Sequence, residues 1–395
     1  QPGYNTFSSI PSLKYNQVYT DPTHERVREF GGLTKVVWNQ PKFTVTSITA
    51  AETNARLANT GATLAPAPGY GQYSASRGAA DYWQATQETR IASKQNRRLT
   101  WMGGIYGFIE HLNSQNASAS YYPTVNANGV MGSYTVPPYS NYIYNQNWLS
   151  GSVFGNAGYK LTKKFTVSAG LRWSVEHISI NDHYYAQSLS GSPGVAGASL
   201  RAMPVGTSLL YSAREHNTYR NWTADVTLQY AVTAHIMPYF RFASGKMPGN
   251  YGFSGYAKIP GTSVSAVQLT QINPETITAY ELGIKTQWLH NRLTINADGF
   301  RYNYDNALVN VPTLIAPGIT SVIFRNAGAA VINGAELQID ATPLRRLHLG
   351  GNLGILSTQY TSEDSSNDHI LGARIPRPPH VSLNGYVNYD IPIPV

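Results

Sequence analysis

Apolar and polar residues alternate almost one by one through the later third of the chain. Tyr280, Leu282, Ile284 and Trp288 fall on one face of an extended segment, against Glu281, Gly283, Lys285 and Gln287 on the other. After a tight turn at 289–292, Leu293, Ile295 and Ala297 resume the apolar face opposite Thr294, Asn296 and Asp298, which predicts a hairpin. Ala335, Leu337, Ile339 and Ala341 repeat the design, with a turn at 342–346 and a return through Leu347, Leu349, Leu353 and Ile355. At Gly299 the apolar phase shifts from Ala297 to Phe300 and Tyr302. That shift predicts a bulge, with the two aromatics lifted toward one rim.

Upstream, the first thirty residues read as loop, and strands are expected to begin near Lys35. Val36–Trp38 and Phe43–Ser47 make a short hairpin; 87–93 pairs with 99–110, and Val153–Leu161 with Phe165–Trp173. Trp222–Tyr230 and Ile236–Ala243 follow, with Pro238 marking a bulge or a local edge because it lacks a ladder donor. A last strand runs from Val381 to Tyr389. Short turns follow Ile91, Leu161, Tyr230, Trp288 and Ala341, whereas 111–145, 181–217, 245–271, 306–327 and 358–379 read as long loops. Short turns at one end and long loops at the other are the habit of outer-membrane barrels.

Composition sharpens this picture. Charged residues make up only 13% of the 395, with 28 Tyr, 35 Gly and 7 Trp. A soluble domain carries about 25% charged residues. A helical membrane protein needs apolar runs of roughly 18 residues, and none is present. A transmembrane barrel fits both facts, since its polar positions face a lumen and its aromatics gather at the interfaces. The absence of cysteine excludes disulfides, thiolate metal sites and a Cys nucleophile. The net charge of +8 comes from scattered cations and from turns such as Arg97-Arg98, Lys163-Lys164 and Arg345-Arg346, so no nucleic-acid groove is indicated. Those basic turns either meet anionic headgroups or are ordinary solvated turn charge. The ten His show no metal-ligand spacing, and no catalytic constellation or cofactor motif is found.

Several ordered blocks also resemble a family. Asn273-Pro274-Glu275, Tyr280 to Lys285, Asn291-Arg292-Leu293, and Phe300 to Asp305 are similar to the late barrel of TonB-dependent outer-membrane receptors. Asn326-Ala327-Gly328, Gly334-Ala335-Glu336, and Gly372, Pro376 and Pro379 match further pieces, as do 87–93, Val153-Phe154-Gly155, Ala169 to Arg172 and Tyr239 to Gly245. The resemblance runs from about Thr34 onward and implies an all-β fold: an antiparallel transmembrane β-barrel in the outer membrane of a Gram-negative bacterium. Roughly thirteen strands are visible, where plugged transporters have about 22. Residues 1–395 are therefore expected to be an incomplete receptor-like barrel, lacking a plug domain and the final strands, with an open or artificially closed sheet.

The function this resemblance implies is active import of a scarce ligand, such as a ferric siderophore, cobalamin, haem or a glycan. Its partners would be the TonB complex, reached through an N-terminal region outside this chain, and the outer-membrane lipids. A passive porin-type channel and a soluble or surface β-rich binding protein are the alternatives. In the implied receptor, ligand contacts would come from aromatics in the outer loops: Tyr121, Tyr122, Tyr134, Tyr139, Tyr142 and Tyr144; His183, Tyr184 and Tyr185; Tyr251 and Tyr256. The same residues would equally serve as an aromatic girdle or as loop packing. Glu281, Lys285 and Glu336 face the lumen, where they either hold a plug or pair across neighbouring strands.

Overall fold

The computed structural model describes residues 24–63, 73–95, 97–121, 139–187, 208–258, 265–316, 319–326, 328–363 and 371–392. The chain is built from strands throughout: β1 (His24–Asn39), β2 (Phe43–Thr63), β3 (Tyr73–Ser93), β4 (Leu99–Tyr121), β5 (Tyr139–Lys160) and β6 (Phe165–Gln187). β7 (Ser208–Tyr230), β8 (Ile236–Met247), β9 (Asn250–Lys258), β10 (Ser265–Ile272), β11 (Glu275–Trp288) and β12 (Leu293–Asp305) follow. The last are β13 (Leu308–Ala316), β14 (Ile319–Asn326), β15 (Gly328–Leu344), β16 (Leu347–Glu363) and β17 (Val381–Tyr389). Thirteen form one sheet, in the order β1 to β8, β11, β12, β15, β16, β17, and every pairing is antiparallel. The sheet is open: among the described residues β1 and β17 each pair on one side only. β9–β10 and β13–β14 are separate hairpins above it.

The two faces are inverted relative to a soluble sheet. Leu171 is 52% exposed, Trp222 58% and Leu282 66%, whereas Ser150, Ser152, Ser174 and Asn221 on the other face are buried. On the outer face Ile105, Val153, Trp173 and Trp222 sit opposite one another across four strands. Two aromatic pairs bound this apolar band. Phe165 meets Tyr230 at the turn end, with ring centroids 6.5 Å apart, and Trp173 meets Trp222 at 6.1 Å. The eight residue steps from Phe165 to Trp173 rise roughly 26 Å along the strand. That is close to the apolar band, about 25 Å tall, of membrane-spanning barrels.

Several expectations are corrected by the structure. β1 begins at His24, well before Lys35, β2 runs past Ser47 to Thr63, and the described residues of 111–145 and 181–217 are strand, with β4 reaching Tyr121 and β6 Gln187. Beyond the band the lipid that sorts the outer face is gone, so the strand residues there do not continue the apolar alternation of the band. Residues 245–271 and 306–327 contain hairpins rather than plain loop. No bulge occurs at Gly299, which pairs regularly with Leu282 and Ala335. Phe300 and Tyr302 instead stay on the inner face, stacked at 4.7 Å, with the Phe300 ring lying over Gly334, where a Cβ would collide with it. The expectation of a local edge at Pro238 is met. The β7–β8 ladder runs only from Asp225↔Ala243 to Gln229↔Tyr239, leaving Pro238 paired with β11 alone.

Candidate functional site

The inner face carries two groups of interest, one at the level of the apolar band and one above it. In the lower group, β8, β11, β12 and β15 bring Tyr239, Arg241, Glu281, Lys285, Asp298 and Glu336 to one surface. The alternation that sends Leu282 and Ile284 outward sends Glu281 and Lys285 inward. Tyr239 donates its hydroxyl to Glu281 Oε1 at 2.5 Å, and Lys285 Nζ lies 5.6 Å from the centre of the Tyr239 ring. Gly283 makes this possible, because a Cβ there would stand 2.6 Å from that ring. Glu336 sits directly opposite Asp298, like charge against like. Among the described residues the ion pairs are Arg56–Glu25 and Arg90–Glu88, so none of Glu281, Lys285, Asp298 or Glu336 has an ion-pair partner among them.

The upper group lies past the Trp173–Trp222 pair. There the apolar phase of β6 changes faces: Ile178 and Ile180 point inward and are fully or almost fully buried, at 0% and 2% exposure. Tyr219 and Tyr251 complete a small core with them, against which Tyr144, Trp148 and Leu269 pack. Leu269 and Tyr251 belong to the β9–β10 hairpin, so this core docks the hairpin onto β5, β6 and β7. It covers a seam. Above Asp225, β7 has no ladder partner on the β8 side, and there the Ser244 hydroxyl accepts from the Ala224 N–H at 2.9 Å. Tyr219 reaches across to donate to the Ile272 carbonyl at 3.1 Å.

Asp182 is buried in this wall, directly opposite Tyr144 and Ala213. Burial pushes its carboxyl up to about 6, against the smaller opposing pull of the Tyr142 hydroxyl and the His183 backbone N–H. The folded chain therefore takes up this proton more readily than the unfolded chain, whose ordinary value is 3.8. The contribution of Asp182 to stability is therefore fully present below about pH 4, is lost as pH rises toward 6, and is level above. Asp182→Asn should thus be more stable than the native chain at pH 7.5 in thermal unfolding, with the gap closing toward pH 4. A gap independent of pH would show that Asp182 does not titrate this way.

The structure separates the aromatic residues singled out in the sequence. Tyr142, Tyr144 and Tyr184 share the inner face, with ring centroids of 5.9 Å between Tyr142 and Tyr144 and 6.5 Å between Tyr142 and Tyr184. His183 and Tyr185 alternate to the outer face, where their rings stack at 6.3 Å. Tyr251 is buried in the hairpin core. Tyr121, Tyr139 and Tyr256 are strand residues whose side chains are not described, and Tyr122 and Tyr134 lie outside the described residues. The sequence reading passed over Asp182 and Tyr239; the inward register of an isolated acid among tyrosines was the available signal for the first. Among the described residues no cluster of three or more His, Asp or Glu could hold a metal ion.

Comparison with known proteins agrees with this architecture. The ferric yersiniabactin uptake receptor FyuA from Yersinia pestis superimposes with a TM-score of 0.67 at 17% identity, over 94% of this chain and 48% of that one. The siderophore receptor PiuA from Acinetobacter baumannii gives 0.61 at 14% identity, over 93% and 53%. The closed form of the ferric-catecholate import receptor Fiu from K12 E. coli gives 0.59 at 14%, over 94% and 52%. The chain thus spans about half the length of these solved receptors, and the likeness is one of fold. A family model described as TonB dependent receptor-like, beta-barrel, matches residues 3–392. The chain belongs to that family of outer-membrane transport receptors.

Proposed function

We propose that this chain is part of the wall of a receptor that binds a scarce ligand at the outer surface and imports it with TonB-coupled energy. The observation that carries the reading is the inverted sheet, apolar outside and polar inside over a band bounded by aromatic pairs. Two unpaired edges support the view that further strands complete the barrel, since open edges are costly in lipid. Glu281, Lys285, Asp298 and Glu336, with no ion pair among the described residues, suit a lumen occupied by a polar plug domain. Tyr144, half-buried on the upper inner wall and backed by the buried Tyr142, suits an aromatic or sugar-bearing ligand. The similar solved receptors point to a ferric siderophore as the first cargo to try, ahead of cobalamin, haem or glycans.

The test is growth under iron limitation with single siderophores as the iron source. A strain carrying the complete gene should grow on at least one of them, and removal of either that gene or TonB should abolish that growth. Growth on the same siderophore without TonB would point to passive passage and overturn the coupling.

A further inference from the structure

At the short-turn end, a cleft of about 590 Å³ opens between the ends of β2, β3 and β4, lined by Lys42, Phe43, Ser93, Arg97, Arg98, Leu99 and Trp101. It exists because the β3–β4 ladder stops at Ala92↔Met102, while β4 continues to pair with β5 as far as Leu99↔Tyr159. One bond bridges the gap, from the Trp101 N–H to Ser93 Oγ at 2.9 Å. The floor is apolar and belongs to the outer face. Leu99 is 47% exposed, Trp101 39%, and Phe43 sets its ring edge-on to Trp38 at 6.1 Å.

The rim is cationic, and its cations differ in what they do. Arg98 is committed to the wall: its guanidinium donates to the Lys160 and Leu161 carbonyls at 3.2 and 3.3 Å and lies 5.1 Å from the centre of the Tyr159 ring. Lys94 donates to Thr44 at 2.9 Å. The Lys42 and Arg97 side chains are exposed and make no hydrogen bond or ion pair among the described residues. Two free cations over an apolar floor, at the edge of a lipid-facing band, complement an anionic group carried on a hydrocarbon chain.

We propose that this cleft binds one anionic glycerophospholipid of the adjoining leaflet, its phosphate held by Lys42 and Arg97 and an acyl chain laid on Phe43, Leu99 and Trp101. The proposal rests on the membrane reading above. It separates this turn from 345–346, which carries Arg345 and Arg346 at a tight turn and is not part of the cleft.

The test uses the full-length receptor extracted from outer membranes in detergent, titrated with dioleoyl phosphatidylglycerol and weighed intact by native mass spectrometry. One retained lipid per chain is expected. Affinity should fall at least tenfold in Lys42→Gln/Arg97→Gln and stay unchanged in Arg345→Gln/Arg346→Gln. Dioleoyl phosphatidylcholine should bind more weakly, and millimolar inorganic phosphate should not displace the lipid. Equal losses in the two double variants would reduce the effect to general turn charge and overturn the site. Full displacement by phosphate would make it a free-anion site instead. A membrane-extracted receptor that retains no phosphatidylglycerol would overturn this site alone, whereas recovery only in the soluble fraction would overturn the membrane reading and the site with it.

Discussion

Leu282→Arg should destabilise the receptor in a bilayer by about 2–4 kcal/mol, the cost of a cation on the lipid face of a barrel near the midplane. Leu282 is 66% exposed at the centre of β11, with Phe240 and Gly299 opposite it. Placing the same side chain at Glu336 should have the opposite result. That position lies two strands away, one residue from the level of Leu282, but it points inward, directly opposite Asp298. Glu336→Arg should therefore stay within about 0.5 kcal/mol of the native receptor or stabilise it, because a like-charge pair becomes an opposite one. Urea-driven folding into lipid vesicles, followed by tryptophan fluorescence, measures both. Equal costs at the two positions would reject the assignment of faces.

Ile178→Ala should release the β9–β10 hairpin without opening the sheet. Ile178 is completely buried, and such truncations cost about 2–5 kcal/mol because the void only partly collapses. The loss falls on a docking contact, so it should raise the hairpin's opening equilibrium by about thirtyfold or more, at roughly tenfold per 1.4 kcal/mol. Gly249→Ala should act in the same direction from the hairpin side, since its Cβ would collide with the Tyr219 ring and stand 2.5 Å from the Ile272 carbonyl. Amide exchange should show β9 and β10 losing protection while β5 and β6 keep theirs. Uniform loss across the sheet would mean that Ile178 supports the wall itself. Unchanged protection of the hairpin would mean that this core does not hold it.

What the sequence revealed and what it hid both follow from which solvents a strand meets. Leu282 and Ile284 against Glu281 and Lys285 were legible because lipid and lumen sort side chains strongly. The same holds for Val153 and Leu171, and hence for the thirteen-stranded sheet. Above Trp173 the environment changes while the backbone runs on, and the apolar residues pass to the inner face at Ile178 and Ile180 with the ladder unbroken. The step from Ala297 to Phe300 is a second case. It reads as a bulge in one dimension, but the ladder shows an unbroken strand whose inner side becomes aromatic. A phase shift therefore reports a change of either backbone or surroundings, and only pairing distinguishes them. The hairpin core was hidden for a simpler reason. Tyr219, Tyr251 and Leu269 come together from distant stretches through the seam beside β7, and no local pattern records that meeting.

The strands are of unequal length, and this shapes how a solute arrives. β2 to β7 have 21 to 23 residues each, whereas β8 has 12 and β11 has 14. At about 3.3 Å per residue the longer strands extend roughly 70 Å, and a bilayer occupies only some 9–11 residues of each. One side of the rim is thus a tall palisade and the other a low sill topped by two small hairpins. In the importer proposed above, a solute coming from the medium would meet the palisade first and pass into the lumen over the sill.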